Sequence, residues 1–240
     1  MTCAPTSLAS RGTTADPVRQ TRQESAPPDA ERPMLSGSAR VHVNRVTDPV
    51  GRALVQRGVT PDVVTVIGTV GASAAALWFL PRGELAIGPW IITLFVLLDL
   101  VDGAMARARG KGTPFGAVLD STCDRIADGA LLAGLTWWCL GVGNERVLGV
   151  AAMICLVSSQ LISYVKARAE GMGLDANGGL VERAERLIVV LLGTFLQGVG
   201  VPYALQVALW GLAAASVFTV FQRMWLVYRS AQEQARETSA

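Results

Sequence analysis

Residues 99–124 read DLVDGAMARARGKGTPFGAVLDSTCD, and apolar runs flank them at 90–98 and 126–140, the second broken only by Asp128. Four carboxylates therefore stand near the ends of two hydrophobic helices: Asp99, Asp102, Asp120 and Asp124. An ionisable side chain in such a helix is expensive and marks a functional site by default. We expect the rest of the chain to be arranged around this segment.

The spacing of these acids predicts how they face one another. Asp99 and Asp102 are three residues apart and share one helix face, while Gly116, Asp120 and Asp124 are each four apart and share another. A helix hairpin would bring the two pairs of carboxylates face to face. Because four such acids repel one another unless cations lie among them, the pattern predicts a cation site.

The spacing also resembles the signature of the CDP-alcohol phosphotransferase family, D-x2-D-G-x2-A-R-x8-G-x3-D-x3-D. All eight fixed positions are present: Asp99, Asp102, Gly103, Ala106, Arg107, Gly116, Asp120 and Asp124. Eight fixed residues at one long spacing make a specific match. The competing interpretation is a helix hairpin with chance acids at a membrane surface.

Composition places the chain among polytopic membrane proteins. Hydrophobic residues make up 51% of its 240 residues and charged residues only 17%, and the mean hydropathy is +0.39. The formal net charge of +2 gives no indication of a nucleic-acid partner. Its four cysteines do not form a disulfide framework.

Hydrophobic periodicity predicts an all-α integral membrane protein of six transmembrane helices. Residues 1–40 are rich in Ser, Thr, Pro, Ala and Arg and are expected to be disordered. Residues 41–57 are expected to form an amphipathic juxtamembrane helix. Residues 230–240 are expected to form a polar tail. Between them, 58–229 form the six-span domain. The predicted spans are 61–80, 85–106, 116–140, 147–169, 184–199 and 202–228.

Charges in the connections predict the orientation. Nearly all arginines and lysines of the connecting segments fall on one side, and only Arg82 and Arg146 fall on the other. The positive-inside rule then places both termini and residues 99–124 on the cytoplasmic face of the cell membrane.

The family resemblance implies a donor and a metal. The donor would be CDP-diacylglycerol, held by Asp62, Val63, Val64, Thr65, Gly103, Arg107 and Thr113. Two Mg²⁺ ions, with Mn²⁺ as the alternative, would be held by Asp99, Asp102, Asp120 and Asp124, because Mg²⁺ binds carboxylates and substrate phosphates together. Asp124 resembles the family's general base, which takes the proton of the acceptor hydroxyl.

A second constellation lies in the loop that follows the fourth predicted span. The segments SYVKARAE and LVERAERL are most similar to the actinobacterial members of the family that use inositol phosphate, 1D-myo-inositol 3-phosphate, as acceptor. The resemblance implies that the acceptor phosphate is bound by Ser163, Lys166, Arg168, Arg186 and Arg223. It also suggests a homodimer. Glycerol 3-phosphate and free inositol remain alternative acceptors, because the signature does not separate them.

Two other classes of protein compete with a transferase. A divalent-cation transporter would place its carboxylates near the middle of the bilayer, whereas here they cluster at the predicted cytoplasmic helix ends, beside Arg107 and Gly103. A purely structural membrane scaffold would leave the four acids unexplained. The sequence therefore favours an enzyme that transfers the phosphatidyl group of CDP-diacylglycerol to the hydroxyl group of the acceptor.

Overall fold

The computed structural model describes residues 37–109, 113–176 and 178–239, without the side chains of residues 37–46, 99, 238 and 239. Two compact units divide the chain, Met1–Val41 and His42–Ala240. All side-chain geometry below belongs to the second unit. The predicted disordered tail lies outside the described residues as far as residue 36.

Eight α-helices form the described part of the chain, which contains no β-strand. A short 3₁₀ turn, Leu80–Arg82, follows the second helix. The helices are α1 Gly37–Gln56, α2 Pro61–Phe79, α3 Gly88–Val96, α4 Leu98–Ala108, α5 Pro114–Leu140, α6 Arg146–Glu170, α7 Arg183–Gly198 and α8 Ala204–Ser239. The predicted all-α class is confirmed.

Four helical segments are long and apolar enough to cross a membrane. They are Pro61–Arg82, Gly88–Ala108, Arg146–Glu170 and Ala204–Glu237, and they coincide with the first, second, fourth and sixth predicted spans. The other two predicted spans fall on α5 and α7. Helix α5 is continuous, but it contains the charged residues Asp120, Asp124, Arg125 and Asp128, and α7 has only 16 residues. Six spans therefore remain a prediction.

The second predicted span and the end of the last helix differ from the sequence prediction. The predicted span 85–106 is divided at Leu97, whose amide donates to Thr93 O at 2.9 Å while α4 starts at the next residue. Helix α8 has 36 residues and continues to Ser239, through most of the predicted polar tail.

Small residues set the distance between α2 and α5. Ala72 and Ala76 of α2 belong to the same buried core as Leu131 and Leu135 of α5. A Cβ atom placed on Gly134 would lie 2.7 Å from the carbonyl oxygen of Ala76. A carbonyl oxygen of a helix cannot move aside unless the backbone shifts. The two helices can therefore approach this closely only because residue 134 is glycine.

This crossing gives a test of the packing. Gly134→Ala should lower the free energy of unfolding by about 1–3 kcal/mol, because the added methyl group overpacks the contact with Ala76. The matched control is Gly211→Ala in α8, where an added Cβ atom meets nothing within 4 Å. This substitution should leave the free energy of unfolding unchanged or raise it. Unfolding of both variants in mixed micelles measures the difference. Equal stability of the two variants would contradict the close crossing.

Candidate active site

A cavity of about 550 Å³ lies between the start of α2, the C-terminal half of α4 and the start of α5. Five positions of the eight-residue signature contribute to its wall. The lining residues are Thr60, Pro61, Asp62, Thr65, Asp102, Gly103, Ala106, Arg109, Thr113, Pro114, Gly116, Ala117 and Asp120. The hairpin predicted from the spacing thus brings α4 and α5 to a common site, together with α2.

Asp102 is the buried carboxylate of this cavity. Only 7% of the residue is exposed, and its Oδ2 accepts a short hydrogen bond from the hydroxyl of Thr65. Thr65 is itself buried on α2. Since a buried charged oxygen without a donor costs several kcal/mol, Thr65 both stabilises Asp102 and fixes the direction of its carboxylate.

The start of α5 forms a second wall, which is closely packed. The Thr113 hydroxyl accepts a hydrogen bond from the Gly116 amide at 2.9 Å and so caps the helix. A Cβ atom on Gly116 would lie 3.0 Å from this hydroxyl and 3.3 Å from Asp62 Oδ1. Glycine at 116 therefore lets the carboxylate of Asp62 and the helix cap of Thr113 approach the same point.

The described carboxylates of the cavity fit a divalent cation. Asp102 from α4 and Asp120 from α5 both line it and present hard oxygen ligands. The side chain of Asp99 is not among those described, and among the others no three His, Cys, Asp or Glu side chains gather as a metal-binding group. The set of four metal ligands therefore remains a prediction, with two members placed at the cavity.

Asp124, the fourth predicted ligand, belongs to a chain of charged groups between α5 and α7. Its Oδ1 lies 2.8 Å from Nη1 of Arg183. Nε of the same guanidinium lies 3.4 Å from Asp128 Oδ1, and Asp128 Oδ2 accepts a 2.7 Å bond from Arg186 Nη2. The side chains of Asp128 and Arg186 are only 5% and 4% exposed, so this pair lies in the protein interior.

Sequence reasoning assigned no role in the site to Asp128 or to Arg183, although Arg183 belongs to the cationic loop before α7. A signal for Asp128 was available, because it continues the four-residue spacing of Gly116, Asp120 and Asp124 and is the one charge inside the apolar run 126–140. Arg183 carries no comparable local signal. Its importance comes from contacts with residues more than fifty positions earlier in the chain.

The predicted acceptor-binding residues divide into buried and exposed members. Arg223 on α8 is buried and donates to Gly178 O at 2.9 Å and to Ile162 O at 3.0 Å. It thus joins α8 to the end of α6 and to the loop before α7, where the Asp175 amide also donates to the Ser230 hydroxyl at 3.0 Å. Arg186 is buried against Asp128, as described above.

The remaining three members lie near the end of α6. Ser163 is half-buried, Lys166 lies 3.7 Å from Glu170, and Arg168 is exposed. Of the five predicted acceptor-binding residues, two are therefore buried, Ser163 and Lys166 are partly exposed, and Arg168 is exposed.

The predicted donor-binding residues also divide. Asp62, Thr65, Gly103 and Thr113 line the cavity, whereas Val63, Val64 and Arg107 do not. Arg107 Nη2 lies 3.2 Å from Asp48 Oδ1 on α1. A neighbouring arginine that the signature does not include, Arg109, lines the cavity instead and donates to Val59 O at 2.8 Å.

Comparison with known proteins gives a family and several curated relatives. The family described as CDP-alcohol phosphatidyltransferase matches residues 58–222. A phosphatidylinositol phosphate synthase of Mycobacteroides abscessus is 54% identical over 187 residues, which cover 78% of this chain and 85% of that protein. The synthase of Streptomyces avermitilis is 45% identical over 226 residues, covering 91% and 93% of the two chains.

Solved structures of a relative show the same fold. The crystal structure of Mycobacterium tuberculosis phosphatidylinositol phosphate synthase with CDP-DAG bound matches with a TM-score of 0.75 and 52% identity, over 78% of this chain and 95% of that one. A second crystal structure of that synthase, in complex with manganese and citrate, matches with a TM-score of 0.74 over 77% and 90% of the two chains.

The bond between Thr65 and Asp102 gives a prediction that needs no substrate. Thr65→Val should lower the free energy of unfolding by about 1.5–3 kcal/mol, because the buried carboxylate loses a hydroxyl donor. Thr65→Ser keeps the donor and is the control. Denaturation of both variants in micelles measures the effect. A loss of stability in Thr65→Ser with none in Thr65→Val would show that the methyl group, not the hydroxyl, carries the stabilisation.

Proposed function

Because the chain belongs to the CDP-alcohol phosphatidyltransferase family, we propose that it transfers the phosphatidyl group of CDP-diacylglycerol to a hydroxyl group of inositol phosphate. The products are phosphatidylinositol phosphate and CMP. Support comes from the curated relatives, which are phosphatidylinositol phosphate synthases at 45–54% identity, and from the solved synthase that contains CDP-DAG.

One structural observation carries the proposal: signature residues from α4 and α5 share a cavity with the start of α2. Gly103 has no side chain, so a nucleotide can approach the α4 backbone closely. Asp62, Thr65 and Thr113 supply polar groups on the facing walls. A cavity of about 550 Å³ has the size of a typical small-ligand site.

The chain is proposed to use two divalent cations, Mg²⁺ or alternatively Mn²⁺, held by Asp99, Asp102, Asp120 and Asp124. When bound, such ions stabilise negative charge on the pyrophosphate and on the departing CMP. Support comes from Asp102 and Asp120 at the cavity and from the manganese complex of the solved synthase. Thr65 keeps the Asp102 carboxylate directed for this role.

Asp124 is the proposed general base. The acceptor hydroxyl oxygen forms a bond to the lipid-linked phosphorus of the donor, and the bond from that phosphorus to the oxygen of CMP breaks. The hydroxyl proton passes to the carboxylate of Asp124 as the new bond forms. Because Asp124 lies on α5 one turn beyond Asp120, the base would stand beside the reacting phosphorus.

The acceptor phosphate is proposed to bind to Ser163, Lys166, Arg168, Arg186 and Arg223. Two of these, Arg186 and Arg223, are buried cations, and guanidinium groups bind phosphate through a planar fork of donors. A neutral acceptor such as free inositol would not use this charge. Glycerol 3-phosphate would use it, so the charge alone does not distinguish inositol phosphate from glycerol 3-phosphate.

The cellular setting is proposed from the same family and from charge. The chain would lie in the plasma membrane with six spans, with both termini and the active site on the cytoplasmic side, as the distribution of arginine and lysine predicts. Its four apolar helical segments support insertion in a membrane. A homodimer is proposed on the family resemblance alone.

The direct test is CMP release by purified protein with CDP-diacylglycerol and Mg²⁺, given inositol phosphate, free inositol or glycerol 3-phosphate. We expect release with inositol phosphate only. The matched inactive control is Asp120→Asn, which neutralises a cavity carboxylate and should abolish release with every acceptor. Faster release with glycerol 3-phosphate would replace the proposed acceptor, and full activity of Asp120→Asn would refute the metal assignment.

The acceptor site gives a separate prediction, because it lies on different helices from the donor cavity. Arg168→Ala removes an exposed cation and should raise the KM for inositol phosphate by roughly ten- to a hundredfold, since a hydrogen bond to a charged group contributes about 1.5–3 kcal/mol. The KM for CDP-diacylglycerol should change little. The control is Arg229→Ala, whose guanidinium lies 5.5 Å from the centroid of the Trp225 ring and which is not among the predicted acceptor-binding residues. Equal changes in both KM values for Arg168→Ala would contradict an acceptor role.

A further inference from the structure

Arg183 is the residue that connects the two halves of the proposed site. It is the first residue of α7, where a capping box fixes the backbone: the Glu182 amide donates to Glu185 Oε2 at 3.1 Å, and the Glu182 side chain accepts from the amide of residue 185. Such a reciprocal cap holds the first turn of a helix rigidly. The side chain of Arg183 therefore starts from a well-defined position.

From that position the guanidinium group of Arg183 bridges two carboxylates of α5. Nη1 lies 2.8 Å from Asp124 Oδ1, and Nε lies 3.4 Å from Asp128 Oδ1. Asp124 and Asp128 are one helical turn apart and share a face. A planar guanidinium presents several donors in a fixed geometry, whereas a lysine ammonium presents a single point charge. Contact with both carboxylates at once is thus a property of arginine.

Asp128 extends the bridge to the acceptor side. Its second oxygen accepts the 2.7 Å hydrogen bond from Arg186, and this pair is buried. Positive and negative groups thus alternate in the order Asp124, Arg183, Asp128 and Arg186. The first member is the proposed base and the last is a proposed phosphate ligand, while the two between them have no role in the signature.

We infer that Arg183 is a positioning residue for the phosphatidyl transfer: together with Asp128 it holds the Asp124 carboxylate at a fixed distance and angle from Arg186. The inference rests on the proposed function, because it needs Asp124 as base and Arg186 as phosphate ligand. An acceptor that is bound by its phosphate at Arg186 would then present its hydroxyl to a carboxylate already in place. Misplacement of a reacting group by about 1 Å can cost about a hundredfold in rate.

The inference is tested by kinetics of Arg183→Gln and Arg183→Lys in the full-length protein. Arg183→Gln should lower kcat by roughly ten- to a hundredfold, with less than about a twofold change in either KM, because the residue touches the base rather than a substrate. Arg183→Lys should fall between this variant and the unmodified protein, since it keeps the charge but not the bridge. Arg229→Gln is the control arginine and should leave kcat unchanged.

Two measurements besides activity separate positioning from a merely structural role. Calorimetric titration with a CDP ligand should give the same affinity for Arg183→Gln, Arg183→Lys and the unmodified protein, and the thermal midpoints should agree within a few degrees. A loss of CDP affinity together with a fall in the midpoint for both variants would assign Arg183 to stability and overturn the inference.

Other outcomes are equally decisive. A rise in the KM for inositol phosphate with unchanged kcat would make Arg183 a phosphate ligand, and full kcat in Arg183→Lys would show that charge alone suffices; either result overturns positioning. Asp124→Asn serves as the reference and should lose turnover while it retains CDP affinity. If the unmodified protein releases no CMP with any acceptor, the proposed function fails. If it releases CMP and Arg183→Gln retains normal kcat, only this inference fails.

Discussion

A carboxylate or guanidinium group that is buried among apolar helices must meet a partner, and this constraint determines how the helices around the site are joined. Asp102 accepts from Thr65 and so ties α4 to α2. Asp128 pairs with Arg186 and ties α5 to α7. Arg223 donates to two carbonyl oxygens and ties α8 to α6 and to the loop before α7. These three proposed site residues, Asp102, Arg186 and Arg223, thus also join helices.

The sequence predicted the parts of the site that depend on local spacing. Residues three or four apart on one helix share a face, so the approach of Asp102 and Asp120 to one cavity followed from the hairpin. The all-α class and the approximate helix limits followed from apolar periodicity. The break at Leu97 did not, because neither proline nor glycine marks it.

What the sequence did not predict depends on pairing between distant residues. The bridge from Arg183 to Asp124 joins positions 59 apart, and that from Arg107 to Asp48 joins another pair 59 apart. Local patterns carry no information on such pairs. The apolar criterion finds four of the six predicted spans among the described residues, because α5 is long enough to cross a membrane but carries Asp120, Asp124, Arg125 and Asp128.

Helix α8 is much longer than a bilayer requires. Its 36 residues extend about 54 Å at 1.5 Å per residue, against a hydrocarbon core of about 30 Å. Ser230, near the end of the apolar part, accepts the amide of Asp175 in the same loop whose Gly178 carbonyl accepts from Arg223. As far as Ser239, the end of α8 therefore continues as a helix and is not a flexible tether. A protein domain fused directly after Ser239 would be connected rigidly, through α8, to the loop before α7. A reporter fused at this end therefore needs a flexible linker.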